Sequence, residues 1–442
     1  MASCPYNTSG LPTVRAGAAR RVITPALGCC LAGYFHERIA TWVRDDLHCH
    51  ALVLEADGGR LALVSCDLIC VEADTADAMK AAIATATGIS PERVLIHCTH
   101  THTGPTVRRT SGLAAGPEYL AALPGKVAET VRAATADMFD AIVFAGRREE
   151  AGLGSNRLGR QPDGNEVFGK AGVIGPAGPI DPEVLALGVR DLAGRLRAMV
   201  VNYAMHPDTI GGGTADFLSA DWPGEIGKAL ASVYGPEVVT VFLNGACGDI
   251  NHARWEPTRL PTGRAAKSVQ MGRTLAGCAM AAVETAEPLE SARIGAALHW
   301  LDIPFYTRDA AYFAEVAAAR AKPAAELRGW EQALLKMDGL WTYDGQVAHV
   351  PVQALRFGDV IFAGLPGEIF VKWGLEVKHW SPGRFTFMAE LANGWFGYVP
   401  TSDQALRGAY GARPILSRQL VSDAGRQMVD NLQVLMWQLW TN

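Results

Sequence analysis

Through its first two-thirds the chain alternates short apolar, β-branched runs, each closed by a turn signal, with longer segments of helical apolar period. Such runs read as strands buried on both faces, and their alternation with helices is the grammar of βαβ units. The pattern predicts strands at Arg60 to Val71, Arg93 to Thr99, Ala141 to Arg147, Val184 to Val189, Ala198 to Ala204 and Val238 to Leu243. Helices are predicted at Ala73 to Thr87, Glu118 to Met138, Asp221 to Val233 and Ala265 to Thr285. After Glu287 the rhythm changes: strand Ile294 to Ile303, one helix Asp309 to Leu335, strands Ala348 to Phe357, Val360 to Phe362 and Phe385 to Glu390, and a last helix Ala424 to Trp440. The expected fold class is α/β, with a large mixed, mostly parallel sheet flanked by helices and strands plus long helices in the C-terminal third. No repeat or low-complexity linker divides the chain, which reads as a single domain over 1–442, or as tightly fused lobes 1–290 and 291–442. Gly159 to Pro182, rich in Gly and Pro, follows neither period and is expected to be a functional loop or lid.

Composition narrows the function. The 40 Lys and Arg are interspersed with 45 Asp and Glu, for a net charge of -5, so nucleic acid is not an expected partner. No run of about 18 consecutive apolar residues occurs, so no membrane span is expected. The opening Met1 to Pro25 has no apolar core behind its charges, and the chain reads as cytoplasmic. Nine cysteines without a CxxC pair argue against both a disulfide framework and a thiolate zinc knuckle.

The densest chemical signal is Val94-Leu-Ile-His-Cys-Thr-His-Thr-His-Thr-Gly-Pro105, an apolar strand running into histidines and a Gly-Pro stop. At a strand end, residues i and i+2 project to one side, so His100 and His102 can converge in the crevice where open α/β sheets bind ligands. Imidazole suits zinc, but a catalytic site needs about three protein ligands. His206 ends another apolar strand in Val200-Val-Asn-Tyr-Ala-Met-His-Pro207. Asp221 reads as the N-cap of the following helix, or as a partner to a ligating imidazole. The loop Asn244-Gly-Ala-Cys-Gly-Asp-Ile-Asn251 follows a third strand and presents backbone N–H groups together with Cys247, either a buried thiol or a nucleophile activated by His206. Glu368 in Leu365-Pro-Gly-Glu368 and Tyr398 in Ala392 to Thr401 read singly as a turn carboxylate and a packed aromatic, and together as anionic zinc ligands. A second H-x-H, His48 and His50, reads as a strand flank, or with Asp67 as a second metal site.

At these residues the chain resembles the neutral and alkaline (non-lysosomal) ceramidases over their N-terminal catalytic domain. Gly17 to Asp67 resembles the family's opening, Thr99-His-Thr-His-Thr-Gly-Pro105 its THTH-(S/A)-GP signature, and Met205-His-Pro207 its second zinc histidine. Asn244 to Asn251 is similar to the loop carrying the family's catalytic serine, Leu365 to Glu368 to the turn with its zinc glutamate, and Tyr398-Val-Pro-Thr401 to the segment with its zinc tyrosine. The resemblance implies one Zn2+ per chain, held by His100, His206, Glu368 and Tyr398. It also implies catalytic roles for His102 as a proton or oxyanion partner, for Tyr398, and for Arg157 in holding substrate. Where the family has its serine in a GD-x-S-P-N pattern, this chain reads Gly248-Asp-Ile-Asn-His252, so Asn251 stands at the hydroxyl's place or the hydroxyl has no counterpart. The implied enzyme is a short, divergent member that cleaves a C–N amide bond by metal-activated water. The family's further C-terminal β-sandwich and its secretion signal have no counterpart, so ceramide is not the expected substrate.

The expected partner is thus a small-molecule amide or ester, the ester or lactone passing through the same tetrahedral oxyanion. A metal-stabilised binding protein without turnover is the reading from another class. Trp222, Trp255, Trp395 and Phe396 read as an apolar pocket wall or as core packing, and the apolar last helix as buried in its own core or as the face of a homodimer.

Overall fold

The computed structural model describes residues 4–108, 116–168, 172–252, 261 and 263–441. Apolar runs pair into an eight-stranded sheet in the order Val239–Asn244, Leu196–Tyr203, Glu183–Asp191, Phe139–Glu149, Val14–Val22, His48–Ala56, Gly59–Cys66, Val94–Cys98. On its outer face Cys49, Ala51, Val53, Val64 and Ile96 pack with Met79 and Ile83 of helix Ala73–Thr87 and Val127 and Val131 of helix Pro117–Ala136. On the opposite face Leu52, Leu54, Leu63 and Leu95 meet Leu355, Phe362 and Phe387 of a second sheet. Coverage on both faces is why these strands lack polar alternation.

The fold is mixed α/β with a large sheet flanked by helices, but the expected predominance of parallel pairing is corrected. Only the pairs at the two ends are parallel, Leu196–Tyr203 with Val239–Asn244 and Gly59–Cys66 with Val94–Cys98. The pairings between them are antiparallel. Parallel neighbours need a crossover, and helices Asp221–Tyr234 and Ala73–Thr87 supply one for each end pair. Antiparallel neighbours need none, and the tightest link is a hairpin: Asp57 (φ 48) and Gly58 (φ 71) form a two-residue turn whose positive φ angles match strand twist. Val14–Val22, interrupted by Arg15, Arg20 and Arg21, was not foreseen as a strand.

The second sheet runs Ile294–Pro304, Val347–Phe357, Val360–Gly364, Phe385–Ala389. Its last pair is parallel, with helix Val371–Trp380 as crossover. The final helix Ala424–Thr441 buries Met428, Leu432 and Met436 against this sheet. The expected single helix from Asp309 is two, Ala310–Arg320 and Gly329–Leu340, because Pro323 between them offers no N–H to a helical ladder. Gly159 to Pro182 is also not structureless: Leu158–Arg160 pairs with Glu166–Phe168 and Gly175–Pro176.

The ends of the main sheet approach each other through polar contacts. Asn244 N donates to His97 Nε2 (2.9 Å) and Ser65 Oγ to the Phe242 carbonyl (2.6 Å). The carboxyl ends of the strands finishing at Cys98, Tyr203 and Asn244 therefore open onto one rim.

Candidate metal centre

His100 follows strand Val94–Cys98 and has a left-handed backbone (φ 72). The strand ends before it, so the convergence of His100 and His102 comes from this turn and not from strand alternation. The turn is pinned where His100 N donates to the Leu68 carbonyl and His102 N to that of Pro207. Gly33 lies against His102, where a Cβ would stand 2.5 Å from Nδ1. His206 follows strand Leu196–Tyr203, and its N–H donates to the Ile250 carbonyl. Glu368 and Tyr398 come from the two-residue strands Glu368–Ile369 and Tyr398–Val399, where they are register partners.

Five donor groups meet here. His100 Nε2 lies 3.2 Å from His206 Nε2 and 3.3 Å from His102 Nε2. Glu368 Oε2 is 3.4 Å from both His100 Nε2 and His206 Nε2, and Tyr398 OH is 3.4 Å from His206 Nε2. The second nitrogen of two of the rings is oriented: His100 Nδ1 faces the Ile69 carbonyl and His206 Nδ1 that of Cys247, both at 2.8 Å, whereas His102 Nδ1 is buried without a hydrogen-bond partner among the described residues. A protonated Nδ1 leaves the Nε2 lone pair aimed at the cluster, as in metal-binding histidines. Zinc ligands at about 2.0–2.1 Å in a tetrahedron stand about 3.3 Å apart, which the separations of His100, Glu368 and Tyr398 from His206 and of Glu368 from His100 approach, as does that of His102 from His100. By donor type and spacing these residues fit a zinc ion.

The electrostatics follow from burial. Burial and the neighbouring His100 hold His102 well below its ordinary imidazole value, and burial with Arg157 holds His206 down to about 3. Burial opposes ionisation of Glu368, yet His100 and His206 outweigh it and keep the carboxylate well below its ordinary value. His100 is raised because Glu368 outweighs its burial. Burial, then Glu368, pushes the Tyr398 phenol up.

The other expected residues are placed as follows. Arg157 NH1 donates to Tyr398 OH (3.3 Å) and to the Gly248 carbonyl (3.0 Å), and its guanidinium stacks 4.1 Å from the Tyr410 ring centroid. Asn251 lies in Ile250–Asn251 against Ser155–Asn156, its Oδ1 accepting from His252 N; among the described residues no hydrogen bond joins it to the cluster. Asp221 is not the N-cap: its Oδ2 accepts from Thr209 N and Ile210 N, fixing the chain after His206, while Asp45 takes Ala220 N. Trp222 is fully buried beneath the site, donating to the His206 carbonyl, and Trp395 donates to Glu368 Oε1 (3.1 Å). Phe396 packs into the core of the second sheet, and Trp255 lies outside the described residues.

Glu390 was missed. Its buried carboxylate accepts from Cys247 N and Ile369 N through Oε2 and from Cys247 Sγ through Oε1 (3.0 Å), tying the Cys247 loop and the Glu368 turn together. It ends an apolar strand much as His206 does, which is the signal that could have found it.

This architecture is that of the ceramidase fold. The chain superposes on neutral ceramidase from Pseudomonas aeruginosa with a TM-score of 0.75 and 18% identity, over 97% of this chain and 74% of that one. A structure described as ceramidase complexed with C2 matches with a TM-score of 0.73 and 16% identity, over 97% and 76%. A scan of family models and a search of curated proteins each found no match.

Proposed function

We propose that this chain is a zinc-dependent hydrolase that cleaves a C–N amide bond of a small or amphiphilic substrate. The observation carrying this reading is the convergence of His100 Nε2, His206 Nε2, Glu368 Oε2 and Tyr398 OH at separations of 3.2 to 3.4 Å. The ceramidase fold is consistent with it. These four residues would hold the ion, and a catalytic water would take a fifth position. Bound there, zinc supplies Lewis-acid chemistry, acidifying water and polarising a carbonyl.

The chain's own residues do the rest. His102, buried and held neutral, accepts the proton of the attacking water at Nε2 and returns it to the leaving nitrogen. Arg157 holds the Tyr398 hydroxyl through NH1 and places a fixed positive charge beside the developing oxyanion. Cys247 is not a competing nucleophile. Burial, then Glu390, pushes its thiol well above the ordinary range, and His206 Nδ1, 3.4 Å from the sulfur, is engaged with the Cys247 carbonyl. With Gly248-Asp-Ile-Asn251 lacking a hydroxyl at the position the resemblance assigns to serine, water is the nucleophile.

The test is turnover of a chromogenic panel of N-acyl amides of increasing acyl length alongside the matched esters. Amide cleavage abolished by a zinc chelator and restored by added zinc is expected. Ester cleavage alone would overturn the assignment of the bond, and chelator-insensitive amide cleavage would overturn the role of zinc.

A further inference from the structure

His48 and His50 begin strand His48–Ala56, and strand alternation sends Cys49 into the core while both imidazoles share the other face. Their ring centroids are 5.6 Å apart. Asp67 follows the neighbouring antiparallel strand Gly59–Cys66, where Cys49 and Cys66 are register partners, so it comes to lie beside His48. Its Oδ2 accepts from His48 N (2.9 Å) and stands 3.6 Å from His50 Nε2. One donor atom from each of the three residues lies within 4.8 Å of the others.

This arrangement is not a satisfied hydrogen-bond network. The His50 to Asp67 distance exceeds that of a hydrogen bond, and His50 Nδ1 is buried without a hydrogen-bond partner among the described residues. Asp67, only 3% exposed, is a fixed carboxylate, and His48 and His50 are partly buried at the start of their strand. None of the three belongs to the His100 cluster.

From this geometry we infer a second, exchangeable metal site, formed by His48, His50 and Asp67, that takes a divalent first-row transition cation. Two imidazoles and one carboxylate select for such ions over Mg2+ and Ca2+, which prefer oxygen ligands. Three protein ligands leave positions for water, so this site exchanges faster than the His100 cluster.

The site is tested by titrating chelator-stripped full-length protein with Co2+ and following both visible absorption and binding heat. Wild type is expected to bind one equivalent more than the His48→Gln/His50→Gln variant, with excess Mg2+ not competing. The extra equivalent should persist in the His100→Ala/His206→Ala variant, which separates this site from the proposed hydrolytic centre. Asp67→Asn, which keeps an acceptor for His48 N, should weaken the same equivalent at unchanged circular dichroism. Equal Co2+ stoichiometry and affinity in wild type, His48→Gln/His50→Gln and Asp67→Asn would overturn the inference.

Discussion

Glu368 and Tyr398 are register partners in a two-residue parallel ladder, so one backbone pairing delivers both side chains to the His100 and His206 imidazoles. The carboxylate is then oriented by the Trp395 indole, which donates to Glu368 Oε1. Partners of this kind tune metal affinity by about 10- to 100-fold. Trp395→Phe, which removes the donor and keeps the bulk, is expected to weaken zinc by about 10-fold, as read by competition with a chelating dye. Unchanged affinity would show that the indole bond does not orient the carboxylate.

His102 is assigned proton transfer and not ligation. His102→Ala is therefore expected to lower kcat by about 10²- to 10⁴-fold with zinc retained. Gly33→Ala puts a methyl group against the His102 ring at a residue of φ 100, so it should give the same phenotype in milder form. Loss of zinc in His102→Ala would make His102 a ligand instead.

Cys247 contributes its backbone carbonyl, not its thiol. Cys247→Ser is expected to turn over amides as wild type does, and iodoacetamide to leave activity intact, because the sulfur is fully buried and hydrogen-bonded to Glu390. Inactivation by alkylation with Cys247 modified would restore the cysteine-hydrolase reading.

What was legible in the sequence follows from where each signal lies. His100, His102 and His206 stand out because each follows an apolar run that a proline or Gly-Pro closes, so local pattern and chemical role coincide. Glu368 and Tyr398 lie in turns with no period, where residue type alone offered them as anionic ligands, and the resemblance added their place in an ordered set of motifs. Glu390 has the right strand-end position, but its role depends on Cys247 and Ile369, which the chain brings to it only on folding. The antiparallel order was hidden for the same reason: Val14 pairs with Ala141, and no local period encodes a partner that remote. Asp57-Gly58, a hairpin signal between two apolar runs, is the local exception, one that the predicted strand pattern did not use.

Lys80 gives a pH-dependent stability test away from the site. It is 1% exposed in helix Ala73–Thr87, and among the described residues its Nζ has no hydrogen-bond partner. Burial pulls its ammonium from 10.5 down to about 8. Between those values the unfolded chain binds more protons than the folded one, so stability rises with pH across that window, and the penalty is full below about 8. Lys80→Met is expected to stabilise the protein by on the order of 2 kcal/mol at pH 7, the gain shrinking as pH approaches 10.5. Thermal unfolding at pH 7 and pH 10 checks this; a gain independent of pH would assign the effect to packing alone.

The central claim is a tightly held zinc at the His100 cluster, and zinc content by plasma mass spectrometry after gel filtration in metal-free buffer tests it most directly. Wild type and the His48→Gln/His50→Gln variant should each retain about one zinc per chain, while His100→Ala and His206→Ala should retain none. No retained zinc in wild type supplied with the metal, or as much zinc in His100→Ala and His206→Ala as in wild type, would contradict it.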